Sequence, residues 1–237
     1  MKEVSVIIPV HKKNPFLRDS IISAKSQNKS EVIVVLDSFD KELKIFLENL
    51  KPDKIICGNW SDPSKARQIG IENSDTNYIA FLDSDDIIIE NRLDEQLNWM
   101  KKNNINWSYA SFIVIKSNKK YYYQLAEEII NFKKLIQVNL IGNSTVIVKK
   151  KFLPKKLPKP PLEDFKLWIY LSNENVCYPF NKFSRYYNIH PDQISKNKFK
   201  MFYWRFLYLI EIVGLKKTIV NFPYYIFINL KKRFYGN

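Results

Sequence analysis

The alternation of apolar runs and helical patterns over the first hundred residues constrains the fold of this chain more than any other feature. Residues 4–10 (VSVIIPV) and 31–37 (EVIVVLD) are continuous apolar runs, rich in β-branched residues, that are typical of strands buried on both faces. Shorter runs at 53–58 and 77–83 predict two more strands, and apolar stripes at helical spacing lie between the runs. This order predicts an α/β protein built on a doubly wound, mostly parallel sheet.

Local signals at the starts of the helices sharpen this prediction. Asn14 and Pro15 are predicted as the N-cap and the first residue of the first helix, and Asp62 and Pro63 as those of the third. Asp86 is interpreted as the start of the helix that follows the fourth strand.

The second half of the chain has an α+β pattern instead of a regular alternation. Its predicted strands are 107–115, 120–125 and 144–150. Its predicted helices are one that carries Ile129, Ile130 and Leu135, and one that spans 162–173. The segment 154–161, rich in proline and lysine, is predicted to be a loop.

The net charge of +14 is concentrated in two stretches of the chain. Residues 149–159 contain six lysines and no acid, and residues 196–237 contain nine Lys or Arg residues and one Glu, so the remainder is neutral. Local basicity of this kind indicates an anionic partner for particular surfaces. Because the basic stretches avoid the acidic motifs described below, we do not interpret them as a nucleic-acid site.

Composition also argues against several kinds of site. None of the five glycines belongs to a GxGxxG or GxxxxGK pattern, which disfavours a glycine-cradled phosphate site. Cys57 and Cys177 are far apart and lack a CxxC pattern, so they are predicted to be buried apolar residues of a reducing compartment. The N-terminal apolar run is too short for a signal peptide, and we expect a cytoplasmic protein.

Polar residues follow the predicted strands at their carboxyl ends, where ligands bind in sheets of this type. Pro9 and Val10 end the first strand and His11 follows it, whereas Asp37 ends the second strand and Asp83 the fourth. We expect these residues to converge on one edge of the sheet, with His11 as a wall of a nucleotide pocket.

Three aspartates crowd the segment FLDSDD, at positions 83, 85 and 86. If the chain is still extended there, Asp83 and Asp85 project to the same side and form a hard-oxygen site. Mg²⁺ or Mn²⁺ fits such a site and shares its remaining positions with substrate phosphates. The alternative is that Asp83 caps a helix and that Asp85 and Asp86 are solvated loop acids. From this motif alone the two interpretations are evenly balanced.

Other polar residues have both a functional and a structural interpretation. Asp37 either accepts a hydrogen bond from a ribose or a base, or it holds a turn. Arg67 either faces the ligand crevice or is a solvated helical residue. Asp164 follows Glu163 at a predicted helix start, where the helix dipole stabilises acidic side chains. The alternative is that Asp164 lies in a cleft and acts as a general base. His190 is either a structural loop residue or a metal ligand.

Taken together, these residues resemble the inverting glycosyltransferases of family two, which have the GT-A fold. The resemblance runs from about Val4 to Ser195, and the matching segments, in the family's order, are VSVIIPV, VVLDSFD, KARQIGI, FLDSDD, LEDF and IHPDQIS. The chain departs from the family pattern at three positions, where Leu36, Ser38 and Gln68 replace an Asp, a Gly and an Asn.

The resemblance implies a role for each candidate residue. Asp164 is implied as the catalytic base, and Asp85 and His190 as the residues that hold Mg²⁺ or Mn²⁺. The residues implied to bind the nucleotide sugar are Pro9, Val10, His11, Asp37, Arg67, Asp83 and Ser84.

The implied reaction is the transfer of a sugar, with inversion, from a UDP- or dTDP-sugar to a hydroxyl of a lipid-linked or surface-glycan acceptor, as in lipopolysaccharide or capsule synthesis. Residues 1–195 would form the catalytic domain, with a nucleotide-sugar half (1–100) and an acceptor half (101–195). Two other functions stay open, namely a metal-dependent nucleotidyltransferase and a non-enzymatic protein that binds anionic membranes or nucleic acid.

The C-terminal segment 196–237 is predicted to be an amphipathic helical tail. Its apolar and aromatic runs, 199–213 and 218–230, have basic flanks and are interrupted by charged residues or proline before they reach the length of a membrane span. Such helices suit an anionic membrane interface, here the inner face of the cell membrane. The alternative is that they pack on the catalytic domain or on a second subunit.

Overall fold

The computed structural model describes residues 1–38, 40–116, 119–189 and 198–234, within which the chain forms a sheet of nine strands flanked by helices. The strands are β1 (Val4–Val10), β2 (Ser30–Asp37), β3 (Lys54–Gly58), β4 (Tyr78–Phe81), β5 (Asp86–Ile88), β6 (Trp107–Lys116), β7 (Lys119–Gln124), β8 (Ile147–Lys149) and β9 (Tyr178–Ile189). The helices are α1 (Leu17–Lys25), α2 (Lys41–Leu50), α3 (Pro63–Glu72), α4 (Arg92–Lys102), α5 (Phe132–Gln137), α6 (Glu163–Ser172), α7 (Lys198–Val213) and α8 (Leu215–Phe234).

The two halves of the sheet differ in strand direction. The order is β3-β2-β1-β4-β8-β6-β9-β5, with β7 paired to β6. Strands β3, β2, β1 and β4 are parallel, whereas β8 runs antiparallel to both β4 and β6. The parallel half comes from the first hundred residues, so the predicted doubly wound sheet is confirmed there, and the mixed half corresponds to the predicted α+β region.

Both faces of the parallel half are covered, which explains why its strands are apolar at every position. Successive residues of β1 point to opposite faces. Ile7 packs in one core cluster with Ala66 and Trp168, and Ile8 packs in the other with Leu17. The glycine of α3 allows this helix to approach β1 closely, because a Cβ atom at Gly70 would lie 2.4 Å from Ile7 Cγ2.

Several predicted boundaries are corrected by the structure. Helix α1 begins at Leu17, because Asn14 Oδ1 accepts a hydrogen bond from Phe16 N (2.9 Å) and holds a turn instead of capping the helix. Asp86 opens the short strand β5 and not a helix. Ile130 lies before α5, where it pairs with Cys177 across an isolated bridge.

Other local predictions have mixed outcomes. Asp62 does cap α3, accepting from Ser64 N at 2.8 Å and Lys65 N at 3.2 Å. The two cysteines are unpaired, but only Cys177 is buried, since Cys57 lies exposed on the edge strand β3. The long strand β9, which joins β6 to β5, has no counterpart in the predicted strands.

The C-terminal helices pack on the rest of the protein along their inner face. Leu209 is fully buried, and Arg205 Nη2 donates to the main-chain oxygen of Leu135 at 2.6 Å. The Arg205 guanidinium lies 4.0 Å from the ring centroid of Phe165 and 4.1 Å from that of Tyr225. Among the described residues, no helix is both long enough and apolar enough to cross a membrane.

Candidate active site

A cleft of about 240 Å³, counted with its open mouth, lies where the parallel half of the sheet meets the second half. Helix α3, the end of β4, the first turns of α6 and the loop before α6 form its walls. The lining residues are Ser64, Arg67, Phe81, Asn143, Leu157, Pro158, Glu163, Asp164 and Leu167.

Arg67 joins the two sides of this cleft. Its Nη2 lies 2.8 Å from Asp83 Oδ1, and its Nη1 lies 3.5 Å from Glu163 Oε1. Burial alone would lower the pKa of Arg67, but the charges of Asp83 and Glu163 outweigh burial and raise that pKa above its ordinary value. The guanidinium therefore stays charged and ties α3 to the end of β4 and to the start of α6.

Asp83 is held in its ionised form by its neighbours. Its Oδ1 accepts from Asn143 Nδ2 at 2.8 Å as well as from Arg67. Burial would raise the pKa of Asp83, but the positive charges of Arg67 and Arg185 more than offset it, and the pKa lies below its usual range.

The chain turns directly after Asp83, so the condition for Asp83 and Asp85 to share one side, an extended FLDSDD segment, is not met. Asp86 N donates to Asp83 O at 3.0 Å, which closes a turn over the intervening residues. The two-residue period of a strand therefore does not apply to Asp83 and Asp85. Asp86 is buried, forms an ion pair with Arg185 and accepts from Ser144 Oγ at 2.6 Å, so it is not a solvated loop acid either.

The donor set around this turn suits a hard cation. Asp85 and Ser84 are partly exposed, and Oδ1 of the neighbouring Asp86 is buried without a hydrogen-bond partner in the described part of the chain. Carboxylate and hydroxyl oxygens are the ligands that Mg²⁺ and Mn²⁺ prefer, so the residues fit an ion that shares its shell with phosphates. Within the described ranges, no group of three His, Cys, Asp or Glu residues could hold an ion alone, and His190 lies outside those ranges.

Asp164 has the electrostatics of a proton acceptor. It lies in the first turn of α6, and its Oδ1 accepts from Phe165 N at 2.7 Å. Burial, reinforced by the negative charge of the adjacent Glu163, raises the pKa of Asp164 to about 6. A carboxylate with a pKa near 6 is mostly ionised at neutral pH and is more basic than an ordinary aspartate, which suits general-base catalysis.

Asp37 has a structural role in this conformation. Its carboxylate is 3% exposed and accepts from three consecutive main-chain nitrogens, those of Trp60, Ser61 (2.9 Å) and Asp62 (2.9 Å). These bonds hold the loop that leads into α3. The turn interpretation therefore describes its carboxylate better than a direct contact with a base or a ribose.

The ends of β1 and β2 lie side by side as predicted. His11 Nδ1 is 2.8 Å from the main-chain oxygen of Asp37, while Pro9 pairs with Val35 and Val10 with Leu36 in the parallel ladder. Val10 is fully buried in the core, so its contribution to a ligand site here is to support the end of β1.

The structure brings Arg67, Asp83 and Asp164 to one cleft, and it adds residues that the sequence interpretation missed. Asn143 binds Asp83, and Arg185 pairs with Asp86. Neither had a sequence signal, because Asn143 lies in a short 3-10 turn before β8 and Arg185 in the unpredicted strand β9.

Comparisons with known proteins agree with this architecture. The family model described as "Glycosyl transferase family 2" matches residues 5–157. An uncharacterised glycosyltransferase of Haemophilus influenzae is 28% identical over 98% of this chain and 99% of its own length. The Escherichia coli protein WfgD, named as a UDP-Glc:alpha-D-GlcNAc-diphosphoundecaprenol beta-1,3-glucosyltransferase, is 30% identical over 83% of this chain and 81% of its own length.

Solved structures show the same fold. The crystal structure of residues 1–349 of Staphylococcus aureus TarS in complex with UDP-GlcNAc has a TM-score of 0.67 and 14% identity, and the match covers 88% of this chain. This chain spans 66% of the TarS fragment. The predicted GT-A fold is thereby confirmed, and since the family model covers more than half of the chain, the protein belongs to glycosyl transferase family 2.

Proposed function

We propose that this glycosyltransferase moves a sugar, with inversion, from a UDP- or dTDP-sugar to a hydroxyl of a lipid-linked or surface-glycan acceptor during bacterial surface polysaccharide synthesis. The observation that carries the proposal is Asp164, a carboxylate with a raised pKa in a cleft that also contains the Arg67–Asp83 pair. The named activity of WfgD, which combines a UDP-sugar with a lipid diphosphate acceptor, supports the choice of substrate class.

In this mechanism Asp164 accepts the proton of the acceptor hydroxyl while that oxygen forms a bond to the anomeric carbon of the donor sugar. The bond between the anomeric carbon and the nucleoside diphosphate breaks in the same displacement, and the leaving group departs with its electron pair. A single displacement from the opposite face inverts the configuration. Burial of Asp164 in the wall of the cleft, together with the charge of Glu163, keeps the carboxylate basic.

A divalent ion, Mg²⁺ or Mn²⁺, is proposed as the cofactor. Asp85 would hold it, with His190 as a second ligand, and the bound ion would supply positive charge to the diphosphate leaving group. Its support is the oxygen donor set of the turn and the partial exposure of Asp85. We expect activity to be lost in EDTA and restored by Mg²⁺ or Mn²⁺, whereas full activity in EDTA would contradict this assignment.

The nucleotide-sugar site is proposed to include the residues that end the parallel strands. These are Pro9, Val10, His11, Asp37, Arg67, Asp83 and Ser84. Asp37 would act there mainly through the loop that its carboxylate holds. Asn14 Nδ2, which donates to Ser84 Oγ at 3.1 Å, would fix the position of Ser84 beside the donor.

We also propose that residues 1–195 form the catalytic domain and that residues 196–237 hold it at the inner, cytoplasmic face of the cell membrane. Among the described residues, eight of the sixteen exposed large apolar side chains lie on the outer faces of α7 and α8. They are Phe199, Tyr203, Leu207, Leu215, Ile219, Val220, Tyr224 and Phe227. With one acid and nine basic residues in 196–237, such a surface suits anionic lipid.

Vesicle flotation tests this membrane surface. The variant Ile219→Ser/Val220→Ser/Phe227→Ser should float poorly with phosphatidylglycerol vesicles, because it loses three exposed apolar side chains. The control Ile22→Ser/Ile45→Ser removes exposed apolar side chains of α1 and α2 and should float like the wild type. Equal flotation of all three proteins would show that the tail does not make the membrane contact.

A donor panel tests the central proposal. The full-length protein is incubated with UDP- and dTDP-sugars in Mn²⁺, with a lipid diphosphate-linked N-acetylglucosamine as acceptor, and the products are identified by mass spectrometry. Release of a nucleoside diphosphate together with a glycosylated acceptor supports the proposal. Release of inorganic pyrophosphate from nucleoside triphosphates, without sugar transfer, would indicate the nucleotidyltransferase instead.

A further inference from the structure

The loop that precedes α6 and lines part of the cleft carries a lysine array, Lys155, Lys156 and Lys159. Lys155, Lys156 and Lys159 are exposed, while Leu157 and Pro158 between them line the cleft. Residues 149–159 contain no acid. Within the described part of the chain, none of these three lysines forms an ion pair. Three like charges within five residues of the chain repel one another, and a bound anion would relieve that repulsion.

The conformation of this loop is fixed by two side chains of α3. Gln68, which is 8% exposed, donates from Nε2 to the main-chain oxygen of Lys155 (3.1 Å) and accepts at Oε1 from Leu157 N (2.8 Å). Ser64 Oγ donates to the main-chain oxygen of Pro158 at 2.5 Å. The loop is therefore attached to α3 on both sides of its apolar centre.

Gln68 is also a position at which this chain departs from the family pattern, which has an asparagine there. Glutamine is longer by one methylene group, and its amide spans two main-chain groups of the loop while also donating to Glu72 Oε1 at 2.9 Å. The glutamine at this position thus attaches the lysine-bearing loop to α3 beside the cleft.

The lysine array is close to the proposed base along the chain. Lys159 precedes Asp164 by five residues, a segment that spans at most about 18 Å even when fully extended. The same segment leads from the loop directly into α6, whose first turn carries Asp164. An anion that contacts these lysines would therefore lie near the group whose hydroxyl Asp164 deprotonates, and occupation of the donor site by UDP would distinguish it from the diphosphate of the donor.

We propose that Lys155, Lys156 and Lys159, on the loop attached to α3 by Gln68 and Ser64, bind the phosphate or diphosphate group of the acceptor. This inference rests on the proposed glycosyltransferase function and specifies its acceptor as a sugar that carries a phosphorylated lipid. Lysine ammonium groups bind phosphate oxygens through charge-assisted hydrogen bonds, and a loop fixed in place loses less conformational entropy when it binds.

Binding of a short prenyl diphosphate to the full-length protein tests the inference. The measurement is made with Mg²⁺ and saturating UDP, so that the diphosphate site of the donor is occupied. The variant Lys155→Ala/Lys156→Ala/Lys159→Ala should bind the prenyl diphosphate about tenfold more weakly or worse, because it loses charge-assisted contacts. Its affinity should also depend less on salt than that of the wild type.

Two further variants separate position from charge. Lys41→Ala/Lys44→Ala/Lys102→Ala removes the same charge from α2 and α4 and should bind the prenyl diphosphate like the wild type. Gln68→Ala keeps the three lysines but releases the loop, and we expect it to bind a few times more weakly, while its affinity for UDP stays unchanged.

Four results would overturn the inference. In the first two, the lysine variant binds the prenyl diphosphate as tightly as the wild type does, or it loses affinity for UDP to the same extent as for the prenyl diphosphate. In the third, the wild type does not bind the prenyl diphosphate. In the fourth, the lysine variant loses affinity only for phosphatidylglycerol vesicles, which would assign the lysines to the bilayer. Failure of the proposed function has a different signature, because the wild type would then transfer no sugar from any nucleotide sugar, whatever its affinity for the prenyl diphosphate.

Discussion

The loop before α3 and the start of α6 use aspartate in opposite ways. In the first, Asp37 accepts three main-chain hydrogen bonds and is almost completely buried by the loop it holds. In the second, Asp164 accepts one main-chain bond and lies beside another carboxylate, Glu163. The same side chain therefore holds a loop in one place and is a basic group in the other.

The difference shows that the surroundings of a carboxylate, its hydrogen-bond donors, burial and neighbouring charges, decide what it can do more than its position in a motif. Three N–H donors engage the carboxylate of Asp37 and fix it as the anchor of the loop before α3. Asp164 accepts from Phe165 N, and burial together with the charge of Glu163 raises its pKa to about 6.

Replacement of the proposed base should have the largest effect. Asp164→Asn keeps the shape of the side chain but cannot accept a proton, so kcat for sugar transfer should fall by about 10²- to 10⁴-fold. The affinity for the nucleotide sugar, measured by calorimetry, should stay within a factor of two or so of the wild type. Transfer at the wild-type rate would show that another group accepts the proton.

Replacement of the aspartate that holds the loop should act on stability. Asp37→Ala leaves three main-chain nitrogens near residues 60–62 without their acceptor, and we expect a loss of about 3 kcal/mol in the free energy of unfolding. For a chain of this size that corresponds to a fall in Tm of roughly 6–12 °C. The control Asp40→Ala removes the side-chain cap of α2, one bond to Leu43 N, and should cost only about 1 kcal/mol.

The raised pKa of Asp164 should make stability and activity respond to pH in opposite directions. Its folded pKa of about 6 exceeds the unfolded value of 3.8, so its contribution to stability is fully present below pH 3.8 and is lost as pH rises through 6. Between pH 4 and 7 the wild type should lose about 2 kcal/mol relative to Asp164→Asn. Over the same range kcat/KM of the wild type should rise, because the base becomes ionised.

Denaturant titrations of the wild type and Asp164→Asn at several pH values would measure this difference. A stability difference that stays constant from pH 4 to 7 would mean that Asp164 titrates normally.

Two charge-changing variants should move the activity profile by smaller, opposite amounts. Glu163→Gln removes the negative neighbour of Asp164 and should shift the pH midpoint of kcat/KM downwards by less than about one unit. Arg205→Met removes a buried positive charge that attracts Asp164, and the midpoint should move slightly upwards. Shifts of the same sign in both variants would contradict this electrostatic account.

The parallel half of the fold was predictable because its signals are local. The apolar runs that became β1 and β2, and the Asp62–Pro63 start of α3, depend on neighbours in sequence. Strand β9 escaped prediction because its segment mixes polar and aromatic residues without a clean period, and its place between β6 and β5 is fixed by tertiary pairing.

The candidate site was predictable only in part, for a similar reason. The order of the motifs along the chain indicated Arg67, Asp83 and Asp164, which do meet in one cleft. The pattern could not reveal the turn after Asp83, because one main-chain hydrogen bond to Asp86 overrides the extended conformation. Nor could it reveal that Arg185, about a hundred residues later in the chain, would neutralise Asp86.

The burial of Arg205 and Leu209 makes the C-terminal helices part of the interior behind Asp164, and not a detachable appendage. A graft of residues 198–234 from a related enzyme would have to supply a hydrogen-bond donor to the main-chain oxygen of Leu135 and a group that stacks on Phe165 in order to keep that interior closed. The two regions are therefore expected to have diversified together, and chimaeras joined at this boundary should fold best when helices α5 and α6 come from the same parent as the tail.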